Sequence, residues 1–178
     1  MSKVRLSPRP ALYPVPVVLV GSGHEERKNI MTAAWTGVLA SDPPAVGVSV
    51  QPQRHTHGLI EASGEFTLNI PETSLVEALR FAGRESGRDV DKFRALGLST
   101  ETCPTLEHAP GVGQCPVILG CRVTHTIHLG SHDLFVGEVI DLLVEERVVG
   151  EEEKIDPTRM DLVCFASGHY LQALSRDL

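Results

Sequence analysis

A long β-hairpin in the C-terminal half constrains the fold of this 178-residue sequence more than any other feature. Two runs with apolar patterning, residues 117–129 and 132–145, flank the pair Gly130-Ser131, which suits a two-residue turn. If Leu129 pairs with His132 and the pairing continues, the apolar residues of both strands share one face. That face would carry Leu119, Cys121, Val123 and Ile127 from the first strand and Leu134, Val136, Ile140 and Leu142 from the second.

The same register predicts a polar pair on this otherwise apolar face. It places His125 opposite Val136 and Val123 opposite Glu138, so that His125 and Glu138 are diagonal neighbours. Because an unpaired polar group is costly on a buried face, we expect the imidazole and the carboxylate to satisfy each other. The functional alternative is that Glu138 donates a proton to a ligand.

Shorter elements complete a mainly β chain with a few short helices. Apolar runs at residues 15–20, 45–50 and 66–70 predict buried strands. So few helices among antiparallel strands favour a closed barrel or a sandwich over a doubly wound sheet. Residues 145–154 are expected to form a solvated loop, and residues 158–178 a tail from which Tyr170, Leu171 and Leu174 can dock.

Two short helices are predicted from capping signals. One begins near Leu59, with Thr56 as its N-cap. The other follows the capping-box spacing of Ser74 and Glu77 and ends at Gly83.

Composition and charge favour one globular domain spanning residues 1–178 and disfavour several classes of partner. Apolar residues make up 42 % of the chain and charged residues 22 %. A net charge of −7, with no basic face, argues against nucleic-acid binding and against an anionic membrane surface. Neither a spanning segment nor a signal peptide is visible in the sequence. The four cysteines form no CxxC pair, which favours reduced thiols and the cytoplasm.

Metal binding and side-chain catalysis are both disfavoured by the spacing of the polar residues. His125 and His128 point to opposite faces of a strand, and no acidic residue falls at a familiar ligand spacing. The sequence also lacks a nucleophile elbow, a Walker loop and a dinucleotide-binding glycine motif.

Two segments have the composition of a ligand site. Residues 29–37 combine small side chains with the only tryptophan, Trp35, and so could let a flat ligand approach the backbone. Residues 51–57 place Arg54 before a helix N-terminus, an arrangement that suits a phosphate group. A plain core strand with a buried tryptophan and an ordinary polar loop remain the alternatives.

Taken in order, several stretches resemble the flavin reductase-like family of FMN-binding split β-barrels, in its flavoredoxin-type branch. The matching stretches are NIMTAAWTG (29–37), SDPP (41–44), VSVQPQRHTH (48–57), LI (59–60), GEFTLNIP (64–71), SGRDVDKF (86–93), CPV (115–117), GC (120–121) and FVGEV (135–139). Two positions depart from the branch, in which position 51 is often basic and position 55 often aromatic. Here they are Gln51 and His55.

The resemblance implies a flavin mononucleotide (FMN) site near a homodimer interface. Residues implied along the isoalloxazine ring are Asn29, Met31, Thr32, Ala33, Ala34 and Trp35, with Ser49, Val50 and Gln51 near the ring or the ribityl chain. Those implied at the phosphate are Arg54, His55, Thr56 and His57, while Lys92 and Phe93 would approach the flavin, with the partner subunit as one possible source.

The resemblance also implies an oxidoreductase in which the cofactor, rather than an acid–base residue, carries the chemistry. The leading hypothesis is an NAD(P)H-dependent flavin reductase that supplies reduced flavin to a partner enzyme such as a monooxygenase. A flavoredoxin-like electron carrier with tightly bound FMN and a non-catalytic flavin-binding dimer are the alternatives.

Overall fold

The computed structural model describes residues 1–173 and confirms a mainly β chain with a few short helices. Its strands are β1 (Val15–Pro16), β2 (Val18–His24), β3 (Arg27–Ala33), β4 (Thr36–Ser41), β5 (Pro44–Val50), β6 (Glu65–Ile70), β7 (Thr100–Glu101), β8 (Gly111–Val112), β9 (Val117–His128), β10 (Asp133–Val144), β11 (Val163–Ala166) and β12 (His169–Gln172). Its α-helices are α1 (His55–Ser63), α2 (Val76–Arg84) and α3 (Lys92–Leu96). Short 3-10 turns span Thr73–Leu75, Glu146–Val148, Glu151–Glu153 and Pro157–Arg159.

Seven strands form one antiparallel sheet in the order β3-β2-β6-β9-β10-β5-β4. The sheet curls around a core to which β2, β3, β5, β6, β9, β10 and helix α1 all contribute. Phe66 and Phe135 are the largest side chains buried in it. The outermost strands, β3 and β4, are not paired with each other, so the barrel is split along that line.

A second core packs on the outer side of β2 and β3. Helices α2 and α3 contribute Leu79 and Phe93, which pack with Leu19 and Ile30 of the two strands. Within residues 1–173, no helix combines the length and apolarity needed to cross a membrane.

The hairpin is present, and its predicted register holds at both ends but is wrong in the middle. His125 pairs with Val136, and Leu119 pairs with Leu142, as expected. Between them the register shifts twice, since Thr124 is an extra residue in β9 and Ile140 an extra residue in β10. The two shifts cancel because one extra residue lies in each strand. The predicted pairing is therefore correct at both ends of the hairpin and wrong between the bulges.

The first shift also corrects the predicted apolar face. Leu119, Cys121 and Val123 do face the core, but the apolar residues of β10 that share this core are Phe135 and Val139. Leu134, Val136 and Ile140 are absent from this core, while Ile127 and Leu142 are exposed. An extra residue in one strand reverses which side chains of that strand share a face with its partner.

The expected pairing of His125 with Glu138 is therefore wrong. His125 is exposed, and its Nδ1 lies 3.1 Å from Thr124 Oγ1. Glu138 is half-buried and lies opposite Arg122 instead of Val123. The bulge at Thr124 separates the two side chains that a regular ladder would have brought together.

Both helices depart from the predicted caps. Helix α1 begins at His55 with Arg54 as its N-cap, so Thr56 lies in its first turn. Helix α2 follows a 3-10 turn and lacks a side-chain cap hydrogen bond. Gly83 lies inside α2 rather than at its end, and its Cα packs toward Thr32.

The C-terminal segment expected to be a tail contains two strands. Strand β11 pairs with both β1 and β12, and Phe165 packs edge-on against Tyr170 with ring centroids 5.3 Å apart. The loop expected at 145–154 contains two 3-10 turns, and Val148 within it is fully buried. The predicted docking of Leu174 falls outside the described residues.

Gly137 should be intolerant of any side chain because β10 crosses directly over Phe66. A Cβ added at Gly137 would lie 2.6 Å from Phe66 Cε1 and Cζ and 3.0 Å from Cys121 Cβ. We expect Gly137→Ala to lower the free energy of unfolding by about 1–3 kcal/mol, measured by urea denaturation. The matched control is Gly58→Ala in α1, where a Cβ meets nothing within 4 Å and should stabilise the helix by about 0.5–1 kcal/mol. Equal stability of the two variants would contradict the assigned packing.

Candidate functional site

Two connected clefts lie where β3, β5, α1 and α2 meet. The first, which we call the tryptophan cleft, has a volume of about 320 Å³. The second, the arginine cleft, has a volume of about 280 Å³. They share Met31, Gln51, Arg54 and Gly83 in their walls and so form one continuous groove.

The predicted ring-binding residues converge on the tryptophan cleft, with the exception of Asn29, which lines the arginine cleft. It is lined by Met31, Thr32, Ala33, Ala34, Trp35, Ser49, Val50, Gln51 and Arg54, joined by Gly83 and His132. The connection between β3 and β4 is held to β5 here, since the Ser49 N–H donates to the Trp35 carbonyl at 2.8 Å. Small residues on both strands leave backbone exposed to the groove, which suits a flat ligand.

Trp35 forms an aromatic wall at one end of this cleft. Its side chain is 49 % exposed, although tryptophan is usually a well-buried residue. The ring lies beside the imidazole of His132, with centroids 4.5 Å apart and planes tilted by 42°. The alternative of an ordinary core tryptophan is therefore wrong.

Asn29 presents an unsatisfied buried acceptor to the arginine cleft. Its Nδ2 donates to the hydroxyl of Thr56 at 2.8 Å, which anchors the first turn of α1 to β3. Its Oδ1 is buried and lacks a hydrogen-bond partner among the described residues. Leaving such an oxygen unpaired costs about 1–3 kcal/mol, so this position favours a ligand that brings a donor.

Gly87 keeps the space next to this oxygen open. A Cβ added at Gly87 would lie 2.1 Å from Asn29 Oδ1 and 2.9 Å from His55 Cδ2. Only a residue without a side chain fits at this point, where the loop after α2 passes close to the start of α1.

Several cationic side chains line the arginine cleft. Arg54 is exposed beside the N-terminus of α1, whose first turn carries no acidic residue. Lys92 is buried, and its Nζ donates to the carbonyls of Ile30 and Ala82, both at 2.8 Å. Burial and the neighbouring Arg54 lower the pKa of Lys92 to about 8, against a smaller opposing effect of Glu85. An ammonium has three donors, so one N–H of Lys92 remains for a ligand.

The pKa of His55 also indicates a positive potential at the start of α1. Its pKa is lowered by partial burial and then by the charges of Arg88, Arg27 and Lys92. The combination of a helix N-terminus with several cations is the arrangement that binds phosphate groups.

Two predicted site residues lie away from the groove. His57 points across α1 to β10, where its Nε2 lies 2.7 Å from Asp133 Oδ2 and its ring packs edge-on against Phe135. Phe93 is packed in the core beneath α2. Lys92 reaches the groove from the same chain, so a partner subunit is not needed to supply it.

Sequence patterns alone missed several residues that line the groove. The helical pattern predicts Gly83 only as a helix end, and it assigns no role to Ser86, Gly87 and Arg88, which also line the groove. His132 carried no local signal, because only the hairpin brings it to Trp35.

Three comparisons place this geometry among known proteins. The chain is 34 % identical to the flavoredoxin of Desulfovibrio vulgaris (Miyazaki F), covering 99 % of this chain and 96 % of that one, with a TM-score of 0.92. An FMN-binding protein from Thermus thermophilus, solved with 1-cyclohex-2-enone, is 28 % identical, with coverages of 100 % and 98 % and a TM-score of 0.85. A ferric-chelate reductase (NAD(P)H) of Archaeoglobus fulgidus is 30 % identical over 129 residues, covering 69 % of this chain and 72 % of that protein.

The family assignment rests on most of the chain. The model of the flavin reductase like domain matches residues 11–172, which include every strand and helix described above. The split barrel and the resemblance inferred from ordered motifs are thereby confirmed. The chain belongs to the flavin reductase-like family of FMN-binding split-barrel proteins.

Proposed function

We propose that this chain binds FMN in the continuous groove and acts as an NAD(P)H-dependent flavin reductase. The observation that carries the proposal is the junction of a flat, aromatic-walled cleft with a cationic cleft. FMN has the same two parts, a planar ring system and a phosphate dianion. In the proposed orientation, the ring lies in the tryptophan cleft and the phosphate in the arginine cleft.

The residues present fit the ribityl phosphate part of this ligand. Asn29 Oδ1, which lacks a donor, can accept a hydrogen bond from a ribityl hydroxyl. Arg54 and Lys92 supply positive charge at the phosphate end, and the free N–H groups at the start of α1 can donate to the phosphate oxygens. His55 and Thr56 complete this end, while His57 acts through Asp133 by holding the helix in place.

The residues of the tryptophan cleft fit the ring part. Thr32 is fixed by a hydrogen bond from its hydroxyl to the Leu79 carbonyl at 2.6 Å, and Gly83 packs against its side chain. Trp35 and His132 cover one end of the ring from water. A flavin held here would supply the redox chemistry of hydride transfer. The side chains orient the ring and exclude solvent, and we assign none of them an acid–base role.

An apolar cleft of about 670 Å³ offers a path for NAD(P)H to the ring. It shares Ala34, Trp35 and Ser49 with the tryptophan cleft and is otherwise walled by side chains such as Leu39 and Phe165. A nicotinamide ring entering there would approach the exposed face of the flavin. The proposal for NAD(P)H gains support from the reductase of Archaeoglobus fulgidus, whose name includes that nucleotide.

A flavoredoxin-like electron carrier is the second candidate. The flavoredoxin of Desulfovibrio vulgaris matches nearly the whole chain, and the half-exposed Trp35 shows that the proposed ring site lies near the surface, where a partner protein could approach. A non-catalytic flavin-binding dimer is the third candidate. As a reductase, the chain would deliver reduced flavin to a partner enzyme such as a monooxygenase, and as a carrier it would pass electrons to that partner directly.

We further propose that the chain forms one domain, that two copies of it associate as a homodimer, and that the protein resides in the cytoplasm. The edge strand β4 exposes Val38 by 81 % and Leu39 by 50 %, and such an apolar edge favours association. A twofold dimer is the commonest arrangement for soluble oligomers, so the mass in solution should be twice 19.3 kDa. The cysteines of the chain are free thiols, in keeping with a reducing compartment.

Steady-state kinetics separates the three candidate functions. A flavin reductase should oxidise NADH or NADPH rapidly when free FMN is added, measured as loss of nicotinamide absorbance. An electron carrier should retain FMN through purification and be reduced only by a partner protein. If neither reduction occurs although FMN is bound, the reductase assignment is wrong and the non-catalytic role is favoured.

Arg54 should contribute to FMN binding through the phosphate alone. A charge-assisted contact is worth about 1.5–3 kcal/mol, so Arg54→Ala should weaken FMN affinity roughly ten- to a hundredfold. Quenching of the single tryptophan, Trp35, provides the binding signal. Riboflavin, which lacks the phosphate, is the control ligand and should lose little affinity. Equal losses for both ligands would place Arg54 away from the phosphate.

Lys92 should make FMN affinity depend on pH. Below a pKa of about 8 the ammonium is charged and attracts the phosphate, and above it the charge is lost. FMN affinity should therefore fall as pH rises from 7 to 9.5, a range in which the phosphate, with a second pKa near 6, stays dianionic. Lys92→Gln should flatten this dependence, and riboflavin binding should be flat with either protein. A wild-type FMN profile without a decline would exclude Lys92 from phosphate binding.

A further inference from the structure

A further cleft lies between helix α2 and the β11–β12 hairpin, beside the proposed flavin site. We call it the tyrosine cleft, after Tyr170 in its wall; its volume is about 440 Å³. It shares Thr32, Ala34 and Gly83 with the tryptophan cleft, and it shares Ala34 and Phe165 with the apolar cleft proposed for NAD(P)H. A ligand that enters by the apolar cleft and lies against the flavin ring can therefore extend into the tyrosine cleft.

The charged side chains that line the tyrosine cleft are both cationic. They are Arg80 and Arg84, which lie four residues apart in α2 and so occupy the same side of the helix. Their carboxylate neighbours are not part of this wall, since the side chain of Glu77 is 89 % exposed and Glu85 lines the arginine cleft instead. The cleft therefore presents positive charge without an opposing acidic side chain, as a site for an anion requires.

Both arginines keep hydrogen-bond donors free for a ligand. Their ion pairs use Nε, which lies 3.4 Å from Glu77 Oε1 in Arg80 and 3.0 Å from Glu85 Oε1 in Arg84. Among residues 1–173, the terminal Nη groups of the two side chains form no hydrogen bond with the protein. The planar, forked arrangement of these donors matches the oxygens of a phosphate group.

Tyr170 holds Arg80 at the wall of the cleft. The guanidinium carbon of Arg80 lies 4.9 Å from the centroid of the Tyr170 ring, a cation–π contact. The ring is itself positioned by its edge-on contact with Phe165. Because stacking restricts the side chain of Arg80 without using its N–H donors, less conformational entropy is lost when an anion binds.

We propose that Arg80 and Arg84 bind the pyrophosphate of the pyridine nucleotide, and that this chain consequently uses NADH and NADPH with similar efficiency. The inference rests on the proposed function, because it requires the nicotinamide ring to lie against a bound flavin. The pyrophosphate is separated from the nicotinamide by one ribose, so it falls in a cleft that adjoins the ring site. The phosphate that distinguishes NADPH from NADH is on the second, more distant ribose.

The walls of the two clefts offer no means of telling the nucleotides apart. As far as the described residues form it, the wall of the apolar cleft contains no charged side chain. Arg80 and Arg84 are matched by the two negative charges of the pyrophosphate, which leaves no cation for a 2′-phosphate. Selection of NADH commonly uses a carboxylate that binds the ribose 2′-hydroxyl, and the wall of the tyrosine cleft has none.

Steady-state kinetics at saturating FMN, with three hydride donors, tests the proposal. The donors are NADH, NADPH and N-benzyl-1,4-dihydronicotinamide, which carries no phosphate. The wild-type kcat/KM values for NADH and NADPH should agree within about threefold. Arg80→Gln/Arg84→Gln should raise the KM for both nucleotides about ten- to a hundredfold, with little change in kcat, because charge-assisted contacts to the phosphates are lost. With the benzyl compound, the variant should behave as the wild type does.

Three controls accompany this variant. Arg94→Gln removes an exposed charge from α3 that lines none of these clefts, and it should leave every KM unchanged. FMN affinity, measured by quenching of Trp35, should be the same in the double variant, since Arg80 and Arg84 lie outside the FMN groove. Arg80→Lys/Arg84→Lys keeps both charges and should recover part of the nucleotide affinity. Thermal unfolding verifies that each variant retains its fold.

Four results would overturn the inference. Unchanged KM values in the double glutamine variant would exclude the arginines from nucleotide binding. A rise in KM for NADPH alone would assign them to the 2′-phosphate and contradict equal use of the two nucleotides. An equal loss with the benzyl compound would mean that the substitutions disturb the ring site instead of a phosphate contact. If FMN binds but none of the three donors reduces it, the reductase function is wrong and the inference fails with it, while the FMN site stands.

Discussion

Strand β10 holds the split barrel together, since it pairs with β9 along one edge and with β5 along the other. Through β9 it is linked to β6, β2 and β3, and through β5 to β4. The two halves of the proposed flavin groove come from opposite ends of this sheet. Residues of β3 and β5 can face each other across one ligand only because β10 and its neighbours curl the sheet around the Phe66–Phe135 core.

A buried carboxylate at the start of β10 connects this sheet to helix α1, whose first residues line the arginine cleft. Asp133 lies 2.7 Å from His57 Nε2 in α1 and 2.8 Å from His128 Nδ1 across the hairpin. Hydrogen bonds from His128 and His57 hold the pKa of Asp133 below its usual value, so the carboxylate stays ionised. The next residue toward the turn, His132, contacts Trp35. Asp133 thus links helix α1 to the end of the hairpin that carries His132.

Local patterns predicted the parts of the fold that depend on local chemistry. The hairpin, the strands near residues 45–50 and 66–70, and the two ligand-like segments were all visible in the sequence. The compensating bulges at Thr124 and Ile140 were not, because an extra residue carries no signal when the ladder is regular on both sides. Long-range contacts were equally invisible, and they bring Lys92, Gly87 and His132 to the groove. Lys92 could be predicted as a site residue only from the order of the family-like motifs, not from residue spacing.

The cationic groove imposes a cost on the fold that a bound anion would offset. Lys92 is buried near Arg54, and its lowered pKa means that its charged form is less stable in the folded protein than in the unfolded chain. Between about pH 8 and the ordinary lysine value near 10.4, the unfolded chain binds more protons, so the penalty from Lys92 diminishes as pH rises. A phosphate dianion acts in the opposite sense, since it stabilises the charged lysine and satisfies the neighbouring donors. If the proposed phosphate contact forms, ligand binding and folding are linked through this one side chain.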